Sequence, residues 1–217
     1  LSTEEARANV LDEPLSSDDN EDDIILRSER VAPGTQEMLE AEITTVDQLL
    51  RSAEKVTPSK DSKLQKLLKE VLPDMLRNKS KVIIFSKYID TMNYVASQIQ
   101  NNHRYTNTEV ITLDGSLNEQ QRQERFVQFE QAKQAVLVAT DAISEGINLQ
   151  HIASQVIHYE LPWNPNRLEQ RNGRVDRFGQ REKTVHIHTM VLDETLDATI
   201  LKVLVEKSQR IREAYGF

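Results

Sequence analysis

Between residues 81 and 190 one pattern recurs: KVIIFS (81–86), EVITLD (109–114), AVLVAT (135–140), QVIHYE (155–160) and TVHIHTM (184–190) are short apolar runs rich in β-branched residues. Segments with apolar residues at helical spacing lie between several of them, at 89–101 and 118–131, and a final helix is predicted over 194–215. Runs that stay apolar at consecutive positions predict strands buried on both faces, and strands separated by crossover helices predict a parallel sheet. The fold class is therefore α/β, a parallel sheet sandwiched between helices. Upstream, Leu64, Leu67, Leu68, Val71, Leu72 and Met75 fall at helical spacing behind a candidate cap, Asp61. Pro73 is expected to bend or interrupt that helix. A short amphipathic helix is predicted over 46–56.

Charge divides the chain. LSSDDNEDD (15–23) is acidic and almost without apolar residues, the composition of a disordered or loosely held linker. The predicted organisation is thus an acidic, partly helical extension over 1–60 and an α/β body over 61–217. Residues 1–30 hold ten acids and three arginines, so most of the net charge of -8 sits there and the body is nearly neutral. A nearly neutral body can carry a basic patch, which weakens the objection that phosphate binding needs cations. The chain has no cysteine, which excludes disulfides and thiolate metal sites and agrees with an intracellular protein. No run approaches the ~18 apolar residues of a membrane span and no signal peptide is recognisable, so a soluble protein is expected. The first residue is Leu1, so a fragment or processed product is expected.

In an open parallel sheet, ligands bind beyond the carboxyl ends of the strands. The residues there are Ser86 and Lys87, then Asp114, Gly115 and Ser116, then Thr140 and Asp141, then Glu160 with Trp163 and Asn164. Next comes an arginine series at 167, 171, 174 and 177. On one helix those spacings put all four guanidinium groups within about a third of the circumference. Asn164 suits its N-cap, Pro165 its first position and Gly179 the residue past its end.

The motifs KVIIFSKYIDTMNYV, LDGSLNEQQRQERFVQF, VLVATDAISEGINLQ and HYELPWNPNRLEQRNGRVDRFGQ, in that order, resemble the C-terminal RecA-like lobe of superfamily-two helicases. EGINLQ, WNPN and RFGQ resemble the Swi/Snf-related double-stranded DNA translocases. QRNGRVDR is similar to bacterial members such as the RNA-polymerase-recycling ATPase. The resemblance spans residues 61–215 and implies a RecA-like sheet. It also implies a use for the arginines: by position in the motif, Arg174 and Arg177 reach the γ-phosphate of ATP held by a partner lobe. Planar, permanently charged guanidinium groups suit phosphate oxygens in a reaction that needs charge stabilisation above all. Arg167 and Arg171 fall between that role and a lobe-to-lobe salt bridge.

The same resemblance places Gly146, Asn148 and Gln170 at the nucleotide, with Asn148 at the ribose. It places Ser86, Gly115, Ser116, Arg122 and Thr140 on nucleic-acid backbone, contacts that grip phosphate without reading sequence. Trp163 is read as a packing anchor in preference to a base-stacking plate.

His186 and His188 share a strand face, with no Cys or helical His partner to complete a metal site, and are read as part of a half-buried strand. No Gly-x-Ser-x-Gly elbow is present. No Gly-rich phosphate loop ending in Gly-Lys-Ser/Thr is present either. ATP and Mg2+ are therefore expected to be held mainly by an N-terminal RecA-like lobe of the same protein, and this chain alone is expected to be inactive. The implied partners are double-stranded DNA, that first lobe, and a protein or nucleoprotein complex being remodelled, with no membrane. The implied location is the cytoplasm, with a bacterial or archaeal nucleoid. The competing readings are an RNA helicase lobe and a RecA-like scaffold module without ATPase function.

Overall fold

The computed structural model describes residues 36–78, 80–141, 149–203 and 205. The acidic segment 15–23, residues 142–148 with Gly146 and Asn148, and most of the predicted last helix lie outside the described residues. The chain divides into two units, 1–57 and 58–217. In the first, helix α1 (Gln36–Ala53) begins ten residues before the predicted start. The added stretch contains the adjacent β-branched residues Thr44 and Thr45. Within the helix their hydroxyls donate to the Glu40 and Ala41 carbonyls one turn back, at 2.8 and 2.9 Å.

The second unit opens with helix α2 (Ser62–Lys66), a π turn (Leu67–Val71) and helix α3 (Leu72–Asn78). Asp61 caps α2 as expected, accepting the Leu64 N–H at 2.9 Å. Pro73 does interrupt the helix, and the compensation is visible. Proline brings no N–H to the ladder, and carbonyls one turn back are left to other donors. The buried Tyr105 hydroxyl takes the Leu68 carbonyl at 2.5 Å and Arg104 takes that of Lys69 at 3.3 Å. Burial pushes the Tyr105 pKa up to about 12, so the phenol stays a donor.

Beyond it the expected alternation appears: β1 (Lys81–Ser86), α4 (Ile89–Gln100), β2 (Glu109–Leu113), α5 (Glu119–Gln131), β3 (Ala135–Thr140), β4 (Gln155–His158), α6 (Pro165–Gly173), β5 (His186–Thr189) and a helix α7 over 196–203. All strand pairings are parallel, in the order β2-β3-β1-β4-β5. Two hydrophobic clusters explain the continuous apolar runs. Val82, Ile84, Val136, Val138 and Ile157 point into the cluster under α2 to α4, whereas Ile83, Phe85, Leu137, Ala139 and Val156 point into the one under α5.

The chain moves from central β1 to β2 and β3 on one side and then to β4 and β5 on the other. That reversal puts a crevice beyond the carboxyl ends of the central strands. At the far edge the expectation of a half-buried β5 fails: His186, Ile187 and His188 are all exposed. β5 is an edge strand, paired with β4 alone, and none of its residues belongs to either core cluster.

Candidate functional site

Helix α6 starts as its sequence dictates, with Asn164 accepting the Asn166 N–H at 2.9 Å and Pro165 in the first turn. It ends sooner than predicted, at Gly173 instead of just before Gly179. Val175 is drawn into the second core cluster at 0% exposure, and the chain turns there, with the Val175 and Asp176 N–H groups both donating to Asn172 carbonyl oxygen at 3.0 and 2.7 Å. The arginine series is therefore not one stripe. Arg167 and Arg171 ride on the helix, Arg174 caps its end, and Arg177 lies in the turn beyond.

Their environments differ accordingly. Arg171 is 3% exposed and makes three side-chain hydrogen bonds. Its Nε and Nη2 grip the two oxygens of Asp141 at 2.5 and 2.8 Å, and Nη1 donates to the Glu160 carbonyl at 2.9 Å. The guanidinium also lies over the Phe85 ring, 5.6 Å from its centre. One side chain thus ties α6 to the ends of β3, β4 and β1. The second ring nitrogen system of this edge, on His158, is buried and reaches Asn172 of α6 at 2.8 Å through Nε2. Burial lowers its pKa to about 4, with the Arg171 charge acting in the same direction, so the imidazole is neutral at pH 7.

Glu160 organises the other side of this edge. Its carboxylate accepts the Ser86 hydroxyl at 2.9 Å, the Lys87 N–H at 2.7 Å and the Thr91 hydroxyl at 3.2 Å. Ser86 and Thr140 are buried, and a phosphate reaching Ser86 has to displace Glu160. Gly115 and Ser116 are exposed beyond β2, where Asp114 accepts both the Ser116 N–H and its hydroxyl at 2.7 and 2.5 Å. Arg122 is half-buried and uses its Nε on the Leu117 carbonyl at 3.0 Å, which holds it against the same loop. Trp163 is half exposed and donates to Asp197 at 2.8 Å, pinning the start of α7 to this end of the sheet.

Between these groups lies a cleft of about 250 Å3 lined by Phe85, Asp141, Leu149, Arg167, Gln170, Arg171 and Arg174. Gln170 and Arg174 meet there as expected, together with Arg167. Arg177 is exposed and does not line it. Among the described residues, the Arg174 and Arg177 side chains have no hydrogen-bond or ion-pair partner. A cleft lined by Arg167 and by Arg174, whose guanidinium is unpaired among the described residues, suits an anionic ligand.

Residues 60–179 match the helicase conserved C-terminal domain. The chain belongs to that family. The uncharacterized ATP-dependent helicase YqhH of Bacillus subtilis is 33% identical over 190 residues, covering 82% of this chain and 33% of that protein. RapA of Sodalis glossinidius, an RNA polymerase-associated protein, is 43% identical over 67 residues, 31% of this chain and 7% of its own. The RNA helicase DBP3 of Candida glabrata is 29% identical over 175 residues, 79% of this chain and 31% of its own. Among solved structures, the Sulfolobus solfataricus SWI2/SNF2 ATPase core in complex with dsDNA superimposes with a TM-score of 0.56 at 26% identity, covering 71% of this chain and 31% of that one. The lobe is thus of the Snf2-related, RecA-like type, and it spans about a third of the YqhH length.

The residues that organise the helicase lobe's site were not all visible beforehand. Asp141 and Glu160 stood out only as polar residues at strand ends, and Asn172 and His158 not at all. The available signal was an acid directly after an all-apolar strand, placed where a later arginine could reach it.

Proposed function

We propose that this lobe is the second half of an ATP-dependent double-stranded DNA translocase, supplying Arg174 and Arg177 to ATP held by a first lobe. The observation that carries the reading is the Arg174 guanidinium at the wall of the cleft, unpaired among the described residues while Arg171 beside it is ion-paired to Asp141. An unengaged arginine at a ligand cleft is pre-placed for a charge that arrives with the ligand. Gln170, from the same wall, orients the nucleotide; Gly146 and Asn148 are assigned to it by motif position. Gly115, Ser116 and Arg122 form the nucleic-acid side, with Ser86 and Thr140 behind them. ATP and Mg2+ are assigned mainly to the first lobe. The dsDNA complex of the Sulfolobus relative supports duplex DNA as the track, and DBP3 marks RNA as its competitor.

The test is steady-state ATPase of the intact protein. Duplex DNA should stimulate it and this chain alone should be inactive. Stimulation by single-stranded RNA without any by duplex DNA selects the RNA helicase reading, and turnover by this chain alone removes the two-lobe one.

A further inference from the structure

Ser86 ends the central strand β1 at 0% exposure, so nothing from solvent reaches its hydroxyl while Glu160 stays in place. Oε2 of Glu160 accepts the Ser86 hydroxyl at 2.9 Å and the Lys87 N–H at 2.7 Å, and Oε1 accepts the Thr91 hydroxyl at 3.2 Å. Hydroxyls and backbone N–H groups are the neutral donors that hold nucleic-acid backbone without reading sequence. Here they hold a side chain of the lobe itself. The rest of Glu160 is fixed: its carbonyl takes Arg171 Nη1 at 2.9 Å, and its neighbours Tyr159 and Leu161 are buried. Only the side chain is left to move, by changing rotamer. A cation lies within electrostatic reach of it. The Lys63 ammonium of α2 sits over the Tyr159 ring, 4.8 Å from its centre, and has no hydrogen bond or ion pair among the described residues. Burial lowers the Lys63 pKa, and the Glu160 charge is the foremost of those opposing that shift.

We infer that Glu160 is a gate on the nucleic-acid side of this lobe: its carboxylate occupies the seat of a backbone phosphate and swings to Lys63 when a phosphate takes Ser86, the Lys87 N–H and Thr91. The inference rests on the reading of Ser86 as a backbone contact given above. The donor set selects the ligand. A phosphate oxygen offers these three donors the same kind of anionic acceptor as the carboxylate, and with Glu160 still seated it would meet a like charge, so the two exclude each other. The exchange leaves no group stranded: the Ser86 hydroxyl keeps the Tyr88 carbonyl at 3.1 Å, and the departing carboxylate gains a cation. The carboxylate is not needed to join the strands, because β1 and β4 are already paired and the Tyr159 N–H donates to the Phe85 carbonyl at 2.9 Å. A track held against a competing side chain is let go more readily, which suits a motor that must regrip at every step. Glu160 is thus a positioning residue that controls a contact it does not itself make.

The experiment measures binding of a fluorescently labelled DNA duplex to the intact protein by anisotropy at fixed salt, with thermal unfolding alongside. Glu160→Gln removes the charge and keeps the shape, and should tighten binding by about tenfold. Adding Ser86→Ala should return most of that gain, because the opened seat loses its hydroxyl. Lys63→Met keeps the packing on Tyr159 and should weaken wild-type binding by about threefold, yet have no effect beside Glu160→Gln, where there is no carboxylate left to receive. Unchanged or weaker binding by a folded Glu160→Gln protein overturns the proposal, as does a Lys63→Met effect of equal size in both backgrounds. If Glu160→Gln does not fold, Lys63→Met alone decides, and unchanged affinity overturns the gate. Failure of the duplex-DNA reading shows separately: a wild-type protein that binds single-stranded RNA and not the duplex removes that reading, and the same variants then test the gate on RNA.

Discussion

Arg171 and Arg174 stand three residues apart and line one cleft, yet their surroundings assign them different work. Arg171 is buried, doubly bound to Asp141 and bonded to the Glu160 carbonyl, whereas Arg174 is only half-buried and makes no such bonds among the described residues. A guanidinium with three donors and its charge already committed to Asp141 and Glu160 holds the lobe together and has little left for a ligand. One with its donors open costs the lobe little and gains its partner only when an anion enters. The same residue type on one short segment is thus divided between structure and chemistry by where helix α6 stops.

The sharpest way to break this contrast is Arg174→Ala in the intact protein. Turnover should fall by about 10³ or more while ATP binding persists and stability moves by no more than ~0.5 kcal/mol. Turnover close to wild type, in steady-state hydrolysis alongside nucleotide binding, would make Arg174 a merely solvated cation. Arg171→Ala should fail in the opposite way, leaving the partly buried Asp141 carboxylate unpaired at a cost of about 3 kcal/mol in denaturant unfolding. Arg171→Lys should rescue little, because an ammonium cannot span both Asp141 oxygens and the Glu160 carbonyl. An Arg171→Ala protein of unchanged stability would erase the distinction between the two arginines.

His158 extends the structural half of the comparison to pH. Its folded pKa, about 4, lies below the ordinary value of 6.5, so the unfolded chain binds the extra proton first as pH falls. The stability that depends on a neutral His158 is fully present above pH 6.5 and is lost as pH drops towards 4, a change of about 3 kcal/mol over that window. His158→Gln should flatten this part of the pH profile of unfolding. An unaltered profile would mean that the ring is not held neutral against Asn172.

Most of the sheet was legible in the sequence because strands buried on both faces write themselves as unbroken apolar runs, and KVIIFS and AVLVAT became β1 and β3 to the residue. The end of α6 was not. Arginine spacing and a distant glycine fit a long helix, but Gly173 is also a helix-ending residue, and the burial of Val175 just beyond it is a tertiary fact. Similarly, nothing local marks Thr44 and Thr45 as helical, since their back-bonded hydroxyls are an outcome of the helix and not its signal. At the site, motif order led to Gln170 and Arg174 in the cleft. Asp141 and Glu160 needed the fold, because the partners they engage lie 30 and 74 residues away in the chain.

Gly179 gives the smallest expected effect and separates a rigid turn from a loose one. Replacing glycine by alanine normally gains about 0.4–1 kcal/mol through the unfolded chain, provided the native backbone suits it. Here it does not: φ is +95° and the new Cβ meets His151 Cε1 at 2.8 Å. Gly179→Ala should therefore cost about 1–2 kcal/mol in denaturant unfolding of this chain. His151→Ala added to it should return part of that cost by removing the clash, leaving the backbone strain, and a double-mutant cycle separates the two. A neutral Gly179→Ala would show that the turn yields easily. The outward face of the comparison, Arg177 included, would then be displayed by chance instead of held in place by the lobe.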